Sequence, residues 1–256
     1  MGLRAALREL LPRGHRGLRF EGDYASWEEA QRASGGYDRG EILQRVRAAE
    51  LKVRQGEAAD ARDGVTFPEI QFSFPVMTAL ARAAGRNAGL RVLDFGGALG
   101  GLYRQYKALR IPGSLSWTVV EQKAYVELGR AEFAGAELQF ADTLEGARAD
   151  VVVLSSVLQY LPDPYALVRQ VLDCGARHVV VDRTPCSGLS RDVLAVQHVP
   201  PQIYEASYPC WIFSRARLLD AFAKGFTTFA AFTDGSGAWR GDATAFELAG
   251  FIFDAR

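Results

Sequence analysis

Two hydrophobic periodicities divide this chain. Up to about residue 88, apolar positions recur at helical spacing; from residue 90 they come as short continuous runs. Leu3, Leu7, Leu10 and Leu11 line one face of a short N-terminal helix. Ser26 with Glu29 forms a capping box before a helix that stops near Gly35-Gly36. Asp38 with Glu41 opens a second helix, in which Ile42, Val46, Ala49 and Val53 repeat until Gly56. A third helix is expected from Pro68 through Ile70, Phe74, Met77, Leu80 and Ala84, kinked at Pro75. Residues 21–88 therefore predict a helical cap, and the chain divides into 1–88 and a main domain over 89–256.

Beyond residue 90, runs at 90–94, 116–121, 137–140, 150–155 and 178–182 read as strands. The strongest are the continuous Val/Leu runs of buried parallel strands, with connections long enough for helical crossovers. Phe226–Phe232 and Ala243–Phe253 break the alternation as a closing antiparallel pair, separated by the turn-rich stretches Asp234–Gly237 and Gly241–Asp242. The prediction is a doubly wound α/β fold with a mostly parallel, seven-stranded sheet.

The candidate chemistry starts where the first of these strands ends, at Asp94-Phe95-Gly96-Gly97-Ala98-Leu99-Gly100-Gly101. Strand, tight turn and helix N-terminus make the place where α/β proteins hold nucleotide-like ligands. A dinucleotide fingerprint needs glycines at i, i+2 and i+5; counted from Gly96, this chain has Ala98 at i+2. The glycine that admits a pyrophosphate is missing. Asp94 instead suits an amino-acid ammonium, which S-adenosylmethionine (SAM) carries. Glu121 ends the next strand, in position to accept from ribose hydroxyls. Together the two acids resemble motifs I and II of class I SAM-dependent methyltransferases, with alanine in place of one motif I glycine.

The segment Asp150–Pro164 resembles the strand-four region of small-molecule methyltransferases, with Gln159 and Tyr160 where many relatives carry histidine. A closer likeness covers about residues 20–250. Phe20-x-Gly22-Asp23-Tyr24-x-Ser26-Trp27, Gly36-Tyr37-Asp38, Leu51-Lys52-Val53, Arg62-Asp63, Val120–Lys123, Ser155–Leu161, Asp182–Pro185 and Val199–Trp211 resemble a bacterial methyltransferase family often associated with surface-polysaccharide biosynthesis. The resemblance implies a SAM cofactor held by Asp94, Gly96, Gly97, Gly100, Glu121, Gln122, Asp142, Ser155 and Ser156. It also hints at a sugar-like hydroxyl acceptor. Asp182 and His198 are the candidate bases. Tyr24, Trp27, Gln159, Tyr160, Arg183, Tyr204, Tyr208 and Trp211 are the candidate acceptor wall, with Arg183 available for an anionic group. The alternative for the aromatics is core packing of the cap.

Composition narrows the rest. Thirty basic and thirty acidic residues argue against a dedicated nucleic-acid binder. Cys174, Cys186 and Cys210 lack CxxC spacing and, with three histidines, suggest no metal centre and reduced thiols in a cytoplasm. No run reaches the ~18 apolar residues of a membrane span, and no signal peptide is visible, although the basic amphipathic stretch 1–20 could rest on a membrane surface. A small-molecule acceptor is the expected partner, with oligomeric state open. Two other readings fit the same pattern: a degenerate SAM-binding scaffold, and a nucleotide-dependent sugar oxidoreductase.

Overall fold

The computed structural model describes residues 17–36, 39–85, 89–200 and 206–256. Asp38, Tyr204 and the leucine face of residues 1–11 lie outside them. The N-terminal part is less helical than its periodicity suggests. It contains β1 (Arg19–Glu21), α1 (Trp27–Ala33), α2 (Arg39–Arg54), β2 (Asp60–Arg62), β3 (Val65–Phe67) and α3 (Phe74–Ala84). Ser26 caps α1 by accepting from the Glu29 amide at 3.2 Å. The helix expected from Pro68 starts only at Phe74, so Pro75 sits in its first turn, where the missing N–H costs nothing, and no kink results. The residues ahead of it form a hairpin instead. Asp63 and Gly64 bridge β2 and β3 with φ of +52° and +78°, the backbone of a type I′ turn.

The parallel sheet follows: β4 (Gly89–Phe95), α4 (Gly101–Ala108), β5 (Ser114–Val120), α5 (Lys123–Glu132), β6 (Leu138–Ala141), β7 (Val151–Ser155), α6 (Pro164–Asp173) and β8 (His178–Ser187). Then come β9 (Val193–Val199), β10 (Ala206–Ser214), α7 (Arg215–Ala223), β11 (Phe226–Arg240) and β12 (Ala245–Ala255). Strands β6-β5-β4-β7-β8 pair in parallel. β12 closes against β8 antiparallel, with β11 outside it, giving the expected seven strands. The turn of this last hairpin lies at Gly241–Thr244; Asp234–Gly237 is absorbed into β11 as a register irregularity.

Alternation along β7 shows how the sheet is covered. Val151 and Val153 face a core with Val76 and Leu80 of α3, Tyr106 of α4 and Val126 of α5. Val152 and Leu154 face Leu167 and Val171 of α6 and Leu218 and Phe222 of α7. Both faces are dry, which is why the parallel strands read as unbroken apolar runs. Three more strands were not foreseen. Cys186 and Ser187 at the end of β8 pair with Phe213 and Ser214 of β10, and β10, β9 and β1 continue as an antiparallel extension. No helix among the described residues is long and apolar enough to cross a membrane.

Candidate active site

Parallel strands place their C-terminal ends on one edge, where a ligand crevice belongs. At the end of β4 the backbone turns through Gly96 (φ +74°), Ala98 (φ +49°) and Gly100 (φ +91°) into α4. A side chain at Gly96 would come within 2.6 Å of Val157, and one at Gly97 would run into the Asp94 carboxylate. Ala98 takes the left-handed conformation without being glycine, a strain of ~1–2 kcal/mol. The turn geometry therefore persists despite the missing glycine.

Asp94 lies directly beneath this turn and is 1% exposed. Its one hydrogen bond among the described residues comes from the Trp117 indole N–H, 3.2 Å away on β5. Burial raises its pKa to about 7; the Trp117 bond opposes the shift, the Glu121 charge adds to it, and the Arg183 charge opposes it. Glu121 follows β5 and accepts from the Gln122 amide at 2.8 Å and from the Ala98 amide. Burial pushes its pKa up as well, against those two bonds. Neither carboxylate makes an ion pair with a described side chain. Gln122 and Asp142 are exposed beside Glu121, whose amide bonds Ala141 at 3.0 Å.

The ends of β7 and β8 carry a different set of groups. Ser155 and Asp182 are register partners. The Ser155 hydroxyl donates to Asp182 Oδ2 at 2.9 Å, and the Arg183 guanidinium donates to Ser155 Oγ at 3.0 Å. Asp182 and Arg183 together oppose only Gly250 of β12, since the ladder shifts between Ala249–Thr184 and Phe251–Val181. Such a bulge re-aims side chains at a sheet end. Ser156 (φ +55°) and Arg183 (φ +49°) are both left-handed non-glycine residues here. With Ala98 they place three strained positions on one edge, as functional sites do.

Sequence reasoning missed two contributors to this edge. Ser73, the N-cap position of α3, donates from its hydroxyl to Asp182 Oδ2 at 3.1 Å. Arg62, on the β2–β3 hairpin, donates to the Gln71 carbonyl at 3.0 Å, two residues before Ser73. Asp60 fixes the hairpin: it accepts from the Gln71 amide at 2.9 Å and from Gln105 of α4 at 3.1 Å. The hairpin is thus tied to the helix that the glycine turn begins. Burial, the repulsion of Arg183 next, holds Arg62 below the usual guanidinium range. The Asp63-Gly64 pair was the available signal, since it marks a two-residue hairpin.

Gln159 is 2% exposed. Its Nε2 donates to Ser156 Oγ at 3.1 Å and towards the Arg183 carbonyl at 3.4 Å, and its Oε1 has no partner. Tyr160 bonds Gln197 at 3.1 Å and meets Tyr208 edge-on at 5.3 Å. Trp211 has the opposite parity on β10. It stacks on Trp27 of α1 at 6.4 Å, gives its N–H to the Leu161 carbonyl, and packs with Tyr24 around Ala30, Leu194 and Val196. The expected aromatic wall is therefore divided between two faces of the extension. His198 lies on the same face as Trp211, paired with Glu21 at 3.1 Å; no described contact joins it to Asp182. His178 bonds Asp254 at 2.7 Å at the other end of β8. Asp182, 3% exposed, already accepts two hydroxyls and faces Arg183 at 3.5 Å, which suits it to holding that guanidinium.

Neither a family model nor a curated protein sequence matches the chain. Among solved structures it is similar to the N-terminal domain of EvdMO1 with SAH bound, at 18% identity and a TM-score of 0.49, covering 86% of this chain and 98% of that one. It is similar to the Burkholderia thailandensis 1,6-didemethyltoxoflavin-N1-methyltransferase at 14% identity and a TM-score of 0.49, covering 86% and 91%. It is also similar to magnesium protoporphyrin IX methyltransferase from Synechocystis PCC 6803 at 15% identity and a TM-score of 0.48, covering 86% and 100%.

Proposed function

We propose that the chain is a SAM-dependent methyltransferase acting on a small-molecule acceptor. One observation carries this reading: two carboxylates, Asp94 and Glu121, flank the glycine turn without a side-chain cation bound to either. Carboxylates whose pKa values are raised by burial disfavour a pyrophosphate and favour a ligand that brings positive charge and hydrogen-bond donors. The ammonium of SAM suits Asp94, which the turn backbone approaches closely because Gly97 has no side chain. Its ribose hydroxyls suit Glu121, already oriented by the Gln122 and Ala98 amides.

When bound, SAM supplies a methyl group activated by its sulfonium charge. The work left to this chain is to align an acceptor atom, exclude water and manage one proton. Ser155, Ser156 and Gln159 line the strand end beside the turn. Asp182 holds Arg183 and Ser73. A hydroxyl acceptor of sugar-like character, in surface-polysaccharide biosynthesis, remains the finer reading suggested by the sequence resemblance.

Calorimetric titration of the purified protein with S-adenosylhomocysteine (SAH) and with NAD tests the proposal. Saturable binding of SAH alone is expected. Binding of NAD, or of neither ligand, would refute it.

A further inference from the structure

The ends of β7 and β8 and the neighbouring hairpin carry donors and an acceptor that no described partner satisfies. Arg183 has five N–H donors. Among the described residues one of these reaches Ser155 Oγ, and its buried Nε has no hydrogen-bond partner, Asp182 standing 3.5 Å from it. Arg62 uses its guanidinium on one carbonyl, that of Gln71, and forms no ion pair with a described carboxylate. Asp60, on the same strand, is taken up by the Ala61 and Gln71 amides, by Gln105 and by Arg104, so it and the acids Asp63 and Asp182 act on Arg62 only through their charge. Residues 71–73 tie the two arginines into one cluster: Gln71 meets Arg62, and Ser73 meets the Asp182 oxygen that also accepts from Ser155. Burial first and the Arg183 charge second lower the pKa of Arg62, while the charges of Asp63, Asp60 and Asp182 oppose the shift.

Gln159 adds a third unsatisfied feature. The Arg183 carbonyl can only accept, which favours the orientation that turns Nε2 towards it. Oε1 is then left as a lone acceptor on a side chain 2% exposed. An orphan buried acceptor at the Arg183 backbone, on the edge that also carries Arg62, asks for a ligand carrying both an anion and a hydrogen-bond donor.

Resting on the methyltransferase reading, we propose that the acceptor is an anionic small molecule. Its carboxylate or phosphate is clamped between Arg62 and Arg183, and the Gln159 carboxamide oxygen takes a hydroxyl or amine hydrogen of the same molecule. In strand order, Glu121 on β5 and Asp94 on β4 come first, and Ser155 on β7 and Arg183 on β8 lie beyond them. The clamp is therefore on the side of the turn away from the ribose position. The same anion chemistry could also come from the carboxylate of SAM itself, so the test separates the two sources.

Wild type, Arg62→Gln and Arg183→Gln are titrated with inorganic phosphate, D-glucuronate and neutral D-glucose, each with and without saturating SAH. Separate titrations measure SAH affinity, and melting temperatures check folding. Saturable binding of phosphate or glucuronate to wild type is expected, with weaker or no binding of glucose. Each variant should bind the anion about tenfold or more weakly, while SAH affinity stays within about threefold. The proposal is overturned if neither anion saturates or if both variants bind it like wild type. It is equally overturned if SAH affinity falls about tenfold in both variants, which would give the clamp to the cofactor. If Arg183→Gln does not fold, Arg62→Gln decides alone. Anion binding by a wild type that ignores SAH would uphold the clamp and refute the cofactor assignment.

Discussion

The two halves of the strand-end edge differ in the side chains they carry and in construction. At the ends of β4 and β5 the ligand-facing groups are acids, Asp94 and Glu121, held by an indole N–H and by backbone amides. At the ends of β7 and β8 and on the β2–β3 hairpin they are arginines, Arg183 held by Ser155 and Asp182 and Arg62 by the Gln71 carbonyl. The first half follows from one local sequence and its turn. The second is assembled from a hairpin, a helix start and a strand bulge that lie far apart in sequence. In the proposed assignment, a cation-bearing cofactor meets the acids and an anion-bearing acceptor meets the arginines. Assembly explains why Ser155, Gln159, Asp182 and Arg183, which sit at or near strand ends, were named as site residues from the sequence while Ser73 and Arg62 were not.

Asp94 offers the largest way to break this contrast. A carboxyl that keeps its proton up to about pH 7 when folded, but ionises near the ordinary value of 3.8 when unfolded, lowers stability as pH rises between those limits. Above pH 7 the penalty is fully present, ~4 kcal/mol. Asp94→Asn should therefore raise the melting temperature at pH 8, leave it nearly unchanged at pH 4, and weaken SAH binding by ~1.5–3 kcal/mol. A variant that melts like wild type at both pH values would show that Asp94 is not the buried acid described.

Asp182 comes next. As the anchor of Arg183, its loss leaves a half-buried cation uncompensated, so Asp182→Ala should cost ~3 kcal/mol in chemical denaturation. Asp182→Asn should leave the shape of the pH–rate profile intact. A general base would instead show unchanged stability, a collapse in turnover and a lost limb of that profile.

The divided aromatics sharpen the comparison at a smaller scale. Trp27→Ala removes the stack on Trp211 and should destabilise by ~1–3 kcal/mol without altering SAH affinity. Tyr208→Phe keeps the ring against Tyr160 and should hold the melting temperature; a drop in turnover alone would place its hydroxyl at the acceptor. The smallest effects are expected from Ala98→Gly and His198→Ala. Relief of the left-handed strain, less the entropy glycine adds to the unfolded chain, should give ~0.5–1 kcal/mol of stabilisation. Loss of the exposed Glu21 pair should be worth ~0.5 kcal/mol or less, with turnover kept.

The parallel sheet was legible because its strands are buried on both faces, so each appears as a run such as Val151–Leu154 bounded by turn residues. The glycine turn and Glu121 were legible because strand, turn and acid are contiguous. The β1-β9-β10 extension was not, because three-residue β1 carries no period and its pairing with β9 spans more than 170 residues. Arg62 was quoted only as part of a resemblance. Its role depends on Asp60 reaching Gln71 and Gln105, contacts that no local pattern announces. The helix expected from Pro68 failed because the hairpin and the extended stretch 68–73 are needed to bring Ser73 onto Asp182. The aromatic wall divided because residues 208 and 211 have opposite parity on β10, a fact that needed its register.

The central claim is that a buried acid beneath the glycine turn meets a cationic ligand. Calorimetry of SAH binding at pH 7, in two buffers of different ionisation enthalpy, tests it most directly. An ammonium placed against Asp94 favours its ionised form, so wild type should release a fraction of a proton on binding, and Asp94→Asn should release measurably less. Equal proton release by the two proteins, or no heat of binding in wild type, would contradict the account.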